Sequence, residues 1–261
     1  MVGLDVFLWV LLSAVITYCV ALSFNKMSLV DVVWSAGLGG GSLLVFSQLE
    51  FIALRSVLVL ILILLWSTRL SFHLLKNRVS KPEEDPRYTR LIEHSGRSWR
   101  LVFGVLFIAQ AFLVWLFLNP IQASMSFNTI GFGLQDILAF LIGILALWAE
   151  YTSDAQLNAF RSLRSNQGQV CKVGFWRYTR HPNYFFEWVF WWSFVVFSIG
   201  SHSILMAMIG PIVMYIFLRY ISGVPFAEMS SLESRGEAYR KYQNETSVFF
   251  PSIPKRSISD E

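Results

Sequence analysis

The stretch RYTRHPNYFFEW, residues 177–188, sets Arg177, Arg180 and His181 directly ahead of Pro182, Asn183 and Glu187. Proline suits the first turn of a helix, where its missing N–H is no loss. The N–H groups that follow, at the positive end of the helix dipole, attract an anion. Arg161 and Arg164 add two cations from the other side of the same loop. Cations gathered at a helix start suit the phosphates of a nucleotide. Asn183 and Glu187, one turn apart, can orient a ribose or an amide from one side. The competing reading is a basic loop followed by a capped helix, with no ligand.

A second set lies in ALWAEYTSDAQLNAFRSLR, where Glu150, Asp154, Asn158 and Arg161 follow at steps of four, four and three. Those steps place all four on one helical face. Glu150 and Asp154 adjoin an apolar run, and a carboxylate at the bilayer centre costs about 2.5–3.5 kcal/mol. The stripe is either one wall of a polar ligand site or a solvated extension with side-chain pairs of about 0.2–0.5 kcal/mol each.

The elements that position these residues follow from composition. Of the 261 residues, 55% are hydrophobic and 15% charged, against about 25% charged in a soluble domain. The chain is therefore expected to be an all-α polytopic membrane protein. Seven apolar segments are long enough to cross, roughly 4–24, 28–47, 51–73, 101–119, 134–154, 183–200 and 203–222. Residues 76–100 hold seven Lys or Arg, residues 161–181 hold five, and Arg235, Arg240, Lys241, Lys255 and Arg256 follow the last segment. Seven crossings with the N-terminus outside put every basic stretch in the cytoplasm. This accounts for the net charge of +4 without a nucleic-acid partner. The N-terminus lacks the basic start and cleavage site of a signal peptide and is read as a retained membrane helix. Helices projecting into the cytoplasm are expected to enclose a cofactor cavity, within one domain over residues 1–261. Cys19 and Cys171 have neither metal-ligand nor CxxC spacing and are read as incidental.

GFWRYTRHPNYFFEW resembles the signature of the steroid 5-alpha-reductase C-terminal-domain superfamily, and the chain as a whole is most similar to its bacterial branch of unknown function. The likeness extends through MSLVDVVWS, WSTRLSFHLLKNR, EDPRYTRL, SDAQLNAFR and GEAYRKYQNETSVFFPSIPK. An RHPxY element is shared with isoprenylcysteine-type methyltransferases, which use S-adenosylmethionine. The resemblance to the reductases implies a seven-helix membrane enzyme that binds NADPH. It would reduce a carbon–carbon double bond conjugated to a carbonyl in a steroid-like or other lipid-like substrate.

Carried over by position, Asp154 and Arg161 match cofactor contacts. Asn183 and Glu187 match the pair at the nicotinamide end, and Arg69, Asn77 and Arg78 match the positions after the third helix. Tyr178 falls at the aromatic position of the signature. Glu228 and Tyr239 resemble residues that close the pocket, although an amphipathic surface helix would read the same. At the substrate end the resemblance implies an acid that hydrogen-bonds the carbonyl oxygen. Asp31, kept neutral by desolvation, and Tyr88 are the candidates. The family's Gln-Glu pair has no counterpart at the matching place, and Trp66 stands where the family has tyrosine. A methyltransferase and a non-catalytic lipid-binding protein are the rival classes.

Overall fold

The computed structural model describes residues 2–126 and 131–255, so Arg256 lies outside the described residues. Among the described residues all regular secondary structure is helical. Six helical stretches are long and apolar enough to cross a membrane: Leu4–Phe24, Leu29–Ser47, Leu54–Val79, Pro86–Met125, Leu134–Ser162 and Ile204–Arg235. The sixth of the seven expected segments, 183–200, is a helix of only 16 residues, Pro182–Phe197. At 1.5 Å per residue it is about 24 Å long, short of the roughly 30 Å hydrocarbon core. The apolar run outlasts the helix because residues 198–203 turn through a series of i to i−3 hydrogen bonds. The region read as a loop over 76–100 is largely helical as well, with a short amphipathic helix at Pro86–Ser95.

The chain divides into two compact units. The first comprises Met1–Phe140 and Phe194–Ile209. Its helices are α1 (Leu4–Phe24), α2 (Leu29–Ser47), α3 (Leu54–Leu74), α4 (Pro86–Ser95) and α5 (Trp99–Met125). α2 packs against α1, α3 and α5. It can do so because a Cβ at Gly40 would stand 2.4 Å from the Trp9 ring, and one at Gly41 would stand 2.6 Å from Leu118. Small residues that let helix backbones approach closely supply packing contact where no water drives association. Trp34 lies edge-on to Trp66 at 6.4 Å and to Phe117 at 4.9 Å, and Trp66 is fully buried. Ser67 donates to the Ser35 carbonyl at 2.8 Å, and the Ser35 and Ser71 hydroxyls pair at 2.8 Å.

The second unit comprises Leu141–Ser193 and Gly210–Glu261. It holds most of α6 (Leu134–Ser162) and α7 (Pro182–Phe197), the end of α8 (Ile204–Ile216), and all of α9 (Val224–Arg235) and α10 (Glu237–Glu245). α6 runs unbroken past its apolar part, as the polar stripe requires. The polar helix expected over PFAEMSSLESRGEAYRKYQ is two helices broken at Gly236, whose φ of 53° and ψ of −125° belong to a region essentially reserved for glycine. Trp188, Tyr215, Phe249 and Phe250 form an aromatic cluster with ring centroids 5.0–6.1 Å apart.

Candidate functional site

The signature loop of the second unit is shaped from both sides. Gly174 has φ 55°, and a Cβ there would stand 2.3 Å from Gln156, whose side-chain oxygen accepts from the Phe175 N–H at 3.0 Å. The buried Trp176 donates from Nε1 to the Ser153 carbonyl of α6 at 2.9 Å. From the other side the C-terminal segment holds the loop. Arg180 N–H donates to Ser247 O at 2.8 Å, Thr179 Oγ1 to Phe249 O at 2.9 Å, and Ser252 N–H to Tyr178 O at 2.9 Å. The Tyr242 hydroxyl donates to Trp176 O.

Arg180 was expected at a phosphate, but the structure gives it another task. Its Nε donates to Glu228 Oε1 at 2.6 Å, and its Nη1 donates to the carbonyls of Gln243 and Thr246 at 2.8 Å each. Glu228 also accepts from Gln243 Nε2 at 2.9 Å and pairs with His181 Nε2 at 3.2 Å. Glu228 thus closes a network around Arg180 and His181.

The His181 ring is buried and stacks on Tyr184 at 5.5 Å. Burial holds its pKa below the ordinary 6.5, aided by Arg180 and Arg219 and opposed by Glu228. A depressed histidine pKa contributes stability that is fully present above the unfolded value and is lost as pH falls through the folded value. Unfolding free energy is therefore expected to decline below about pH 6.5. The decline should flatten in His181→Gln, as checked by denaturation of both proteins across pH 5–7.5.

The start of α7 also differs from the expectation. The Tyr184 N–H donates to Asn183 Oδ1 at 3.0 Å, and the Phe185 N–H donates to the His181 carbonyl at 3.0 Å. These bonds take up N–H groups that an anion site would offer. Asn183 Nδ2 instead reaches Asp154 Oδ1 on α6 at 3.1 Å. The Asp154–Asn183 pair, inferred from two separate motifs, is thereby brought together. Glu187 stands a turn deeper, buried, and accepts from Trp191 Nε1 at 2.9 Å. Glu150 is buried too, whereas Asn158, Arg177 and Tyr178 are exposed, and none of these five lines the cavity described next.

That cavity, of about 340 Å³, lies within the second unit. Arg161, Arg180, His181, Asn183 and Tyr239, all expected from the sequence, line it. Burial, with the Glu228 charge behind it, pushes the Tyr239 hydroxyl up to about 12, and burial pushes Tyr242 well above the usual tyrosine range. Both therefore act as hydrogen-bonding phenols at neutral pH. Sequence reasoning missed Gln169, Ser230, Ser231, Ser234 and Arg235 on the walls. The spacing of the serines and Arg235 along one face of α9 was the available signal. Cys171, read as incidental, lines the cavity as well, and burial pushes its thiol up, which disfavours the thiolate.

In the first unit Asp31 and Tyr88, expected at the substrate end, converge with Arg78, which was expected at the cofactor. Asp31 accepts from Arg78 Nη1 at 2.5 Å, Arg87 Nη2 at 2.8 Å and the Tyr88 hydroxyl at 2.7 Å. The expected neutral, donating Asp31 does not fit two guanidiniums that can only donate. The donor of this set is Tyr88. Arg87 reaches Asp85 at 2.9 Å as well. Burial would raise the Asp85 pKa, but the hydrogen bonds and charge of Arg87, with Arg78 behind, outweigh it and hold the carboxyl below its usual value. Asn77 pairs with His73 at 3.2 Å. His73, one turn from both Arg69 and Asn77, is a polar residue on that stripe that the motifs did not single out.

Among the described residues no group of three or more His, Cys, Asp or Glu is placed to hold a metal ion. No curated protein and no solved structure matches the chain. A family described as a protein of unknown function (DUF1295) matches residues 17–246, which takes in the α2 helix, the Asp31 cluster, the signature loop and the walls of the cavity, and the chain belongs to that family.

Proposed function

We propose that the chain is an integral membrane reductase that uses NADPH to reduce a carbon–carbon double bond conjugated to a carbonyl in a lipid-like substrate. The observation that carries this reading is the cavity of the second unit, lined by Arg161 and Arg235 and, among the described residues, by no carboxylate. Its volume falls in the range of small-molecule sites, about 300–1,000 Å³. It has room for one phosphate-bearing part of a dinucleotide rather than the whole.

The residues present fit such a cofactor. Arg161 supplies charge for phosphate. Asn183, aimed by its bond to Asp154, offers its carbonyl or amide edge to a ribose or carboxamide. The Tyr239 hydroxyl stays protonated at neutral pH and can donate. The cofactor, when bound, supplies a hydride for the β-carbon of the substrate. Negative charge then develops on the carbonyl oxygen, where a hydrogen-bond donor is needed, and a proton from solvent at the α-carbon would complete the reduction. Tyr88 is the donor in this reading: its one O–H proton, which Asp31 accepts in the structure, would pass to the substrate oxygen when substrate binds.

The topology that accompanies this function has seven crossings, with Pro182–Phe197 as a short sixth, the N-terminus outside and the basic stretches in the cytoplasm. The distribution of lysine and arginine supports it, and a cytoplasmic cavity would meet the cofactor where it is made.

The test is binding of NADPH, NADH and S-adenosylmethionine to the detergent-purified chain by thermal shift and calorimetry. NADPH at a hundredfold excess over Kd is expected to stabilise by about 2.7 kcal/mol. Asp154→Ala and Asn183→Ala are expected to remove that gain while still folding. A shift with S-adenosylmethionine alone would replace the reductase reading with a methyltransferase, and normal NADPH affinity in both variants would remove the Asp154–Asn183 pair from the site.

A further inference from the structure

The α9 side of the cavity presents Ser230, Ser231, Ser234 and Arg235, and α6 presents Arg161. Arg235 is held in a defined pose. Its Nε donates to the Gln169 carbonyl at 2.9 Å and its Nη1 to Ser234 Oγ at 3.0 Å. Ser234 in turn donates to the Ser230 carbonyl at 2.8 Å. Among the described residues Arg235 Nη2 has no hydrogen-bond partner, and Arg161 makes neither a hydrogen bond nor an ion pair. The two guanidiniums line the same cavity, where like charges repel one another. Among the described residues no carboxylate lines the cavity: Asp154 acts on Arg161 from behind the wall, and Glu228 is engaged by Arg180 and His181.

Two like charges on facing walls are unfavourable unless a ligand of opposite charge joins them. A carboxylate or a phosphodiester carries one negative charge. A phosphate monoester carries about 1.5 to 2 at pH 7, with three acceptor oxygens. Guanidinium forks match those oxygens in pairs, and serine hydroxyls beside them can complete the shell. We infer that Arg161 and Arg235, with the Ser230 and Ser231 hydroxyls and with Ser234 holding Arg235 in place, form a subsite for a phosphate monoester. Resting on the NADPH reading, its ligand is the 2′-phosphate that separates NADPH from NADH. Arg235 is then a residue that sets cofactor choice, and the pose imposed by Gln169 and Ser234 is what makes it selective.

The experiment measures binding of NADP⁺, NAD⁺, inorganic phosphate and phosphatidic-acid micelles to the full chain in detergent, for the unchanged protein and for Arg235→Gln, Arg161→Gln and Ser234→Ala. Unfolding of each variant without ligand is followed in the same scans. The unchanged protein is expected to prefer NADP⁺ to NAD⁺. Each arginine variant should weaken NADP⁺ by about tenfold to a hundredfold and leave NAD⁺ unchanged, with a smaller loss for Ser234→Ala. Equal binding of NADP⁺ and NAD⁺, or undiminished preference in Arg235→Gln, would overturn the subsite while leaving a nicotinamide enzyme in place. Arg235-dependent binding of phosphate or phosphatidic acid, with neither dinucleotide bound, would keep the subsite and overturn the NADPH reading. Phosphatidic acid binding much more tightly than free phosphate would then make a lipid headgroup the ligand. Binding of none of the four would overturn the subsite itself.

Discussion

Arg180→Ala is expected to lower the free energy of unfolding by about 3–5 kcal/mol, the range for removing one partner of a buried ion pair. The side chains of Arg180 and Glu228 are 10% and 16% exposed, so solvent screens the pair little. The loss has two parts. Glu228 is left charged beside His181 and Gln243, and the carbonyls of Gln243 and Thr246 lose their donor. Those carbonyls lie just before the residues that clasp the signature loop, so the C-terminal segment should also loosen from that loop. Chemical denaturation in detergent measures the energy, and limited proteolysis after residue 243 measures the loosening. Arg180→Lys should recover only part of the stability, because an ammonium cannot reproduce the planar fork that serves a carboxylate and two carbonyls together. A loss under about 1 kcal/mol, with no change in proteolysis, would show that the clasp does not depend on Arg180 and would return it to the list of ligand-binding cations.

The second large effect is expected at Asp31. Asp31→Leu should destabilise the first unit by about 3 kcal/mol, since it leaves Arg78, Arg87 and the Tyr88 hydroxyl without their shared acceptor in a site where Asp31 is 15% exposed. Arg87 keeps Asp85, which holds the loss toward the lower end of the range. Because the cavity residues belong to the other unit, NADPH affinity should be unchanged while turnover is lost. Tyr88→Phe separates support from chemistry. It removes one hydrogen bond to a charged group, worth about 1.5–3 kcal/mol, but keeps Asp31 bound to both arginines. Turnover should fall in Tyr88→Phe as far as in Asp31→Leu if Tyr88 is the donor. Full activity in Tyr88→Phe would assign the cluster a purely structural task.

Some of this architecture was legible from residue types alone. Apolar runs with few charges specify membrane-crossing helices because a lone backbone in lipid must satisfy its own hydrogen bonds. The period of Glu150, Asp154, Asn158 and Arg161 carried α6 beyond its apolar part, since side-chain spacing along a helix is local geometry. Gly236 and Gly174 were not legible as breaks: the polar helix was expected to run through Gly236, and the left-handed φ at both shows only in the structure.

What the sequence could not assign was the partner of each charge. RYTRHPNY shows Arg177 and Arg180 as equivalent cations, yet one is exposed and the other is bound to Glu228, 48 positions away. Arg161 and Arg235, 74 positions apart, meet on one cavity, and Asp31 is made an acceptor by residues 47 and 56 positions on. The length of α7 was hidden for a related reason. Hydropathy records which residues tolerate lipid, not where the backbone turns. Composition and period determine which segments are helical and which faces are polar, because both depend on neighbours within a turn or two. Which arginines serve the fold and which remain for a ligand depends on distant carboxylates and carbonyls, and only the tertiary structure decides that.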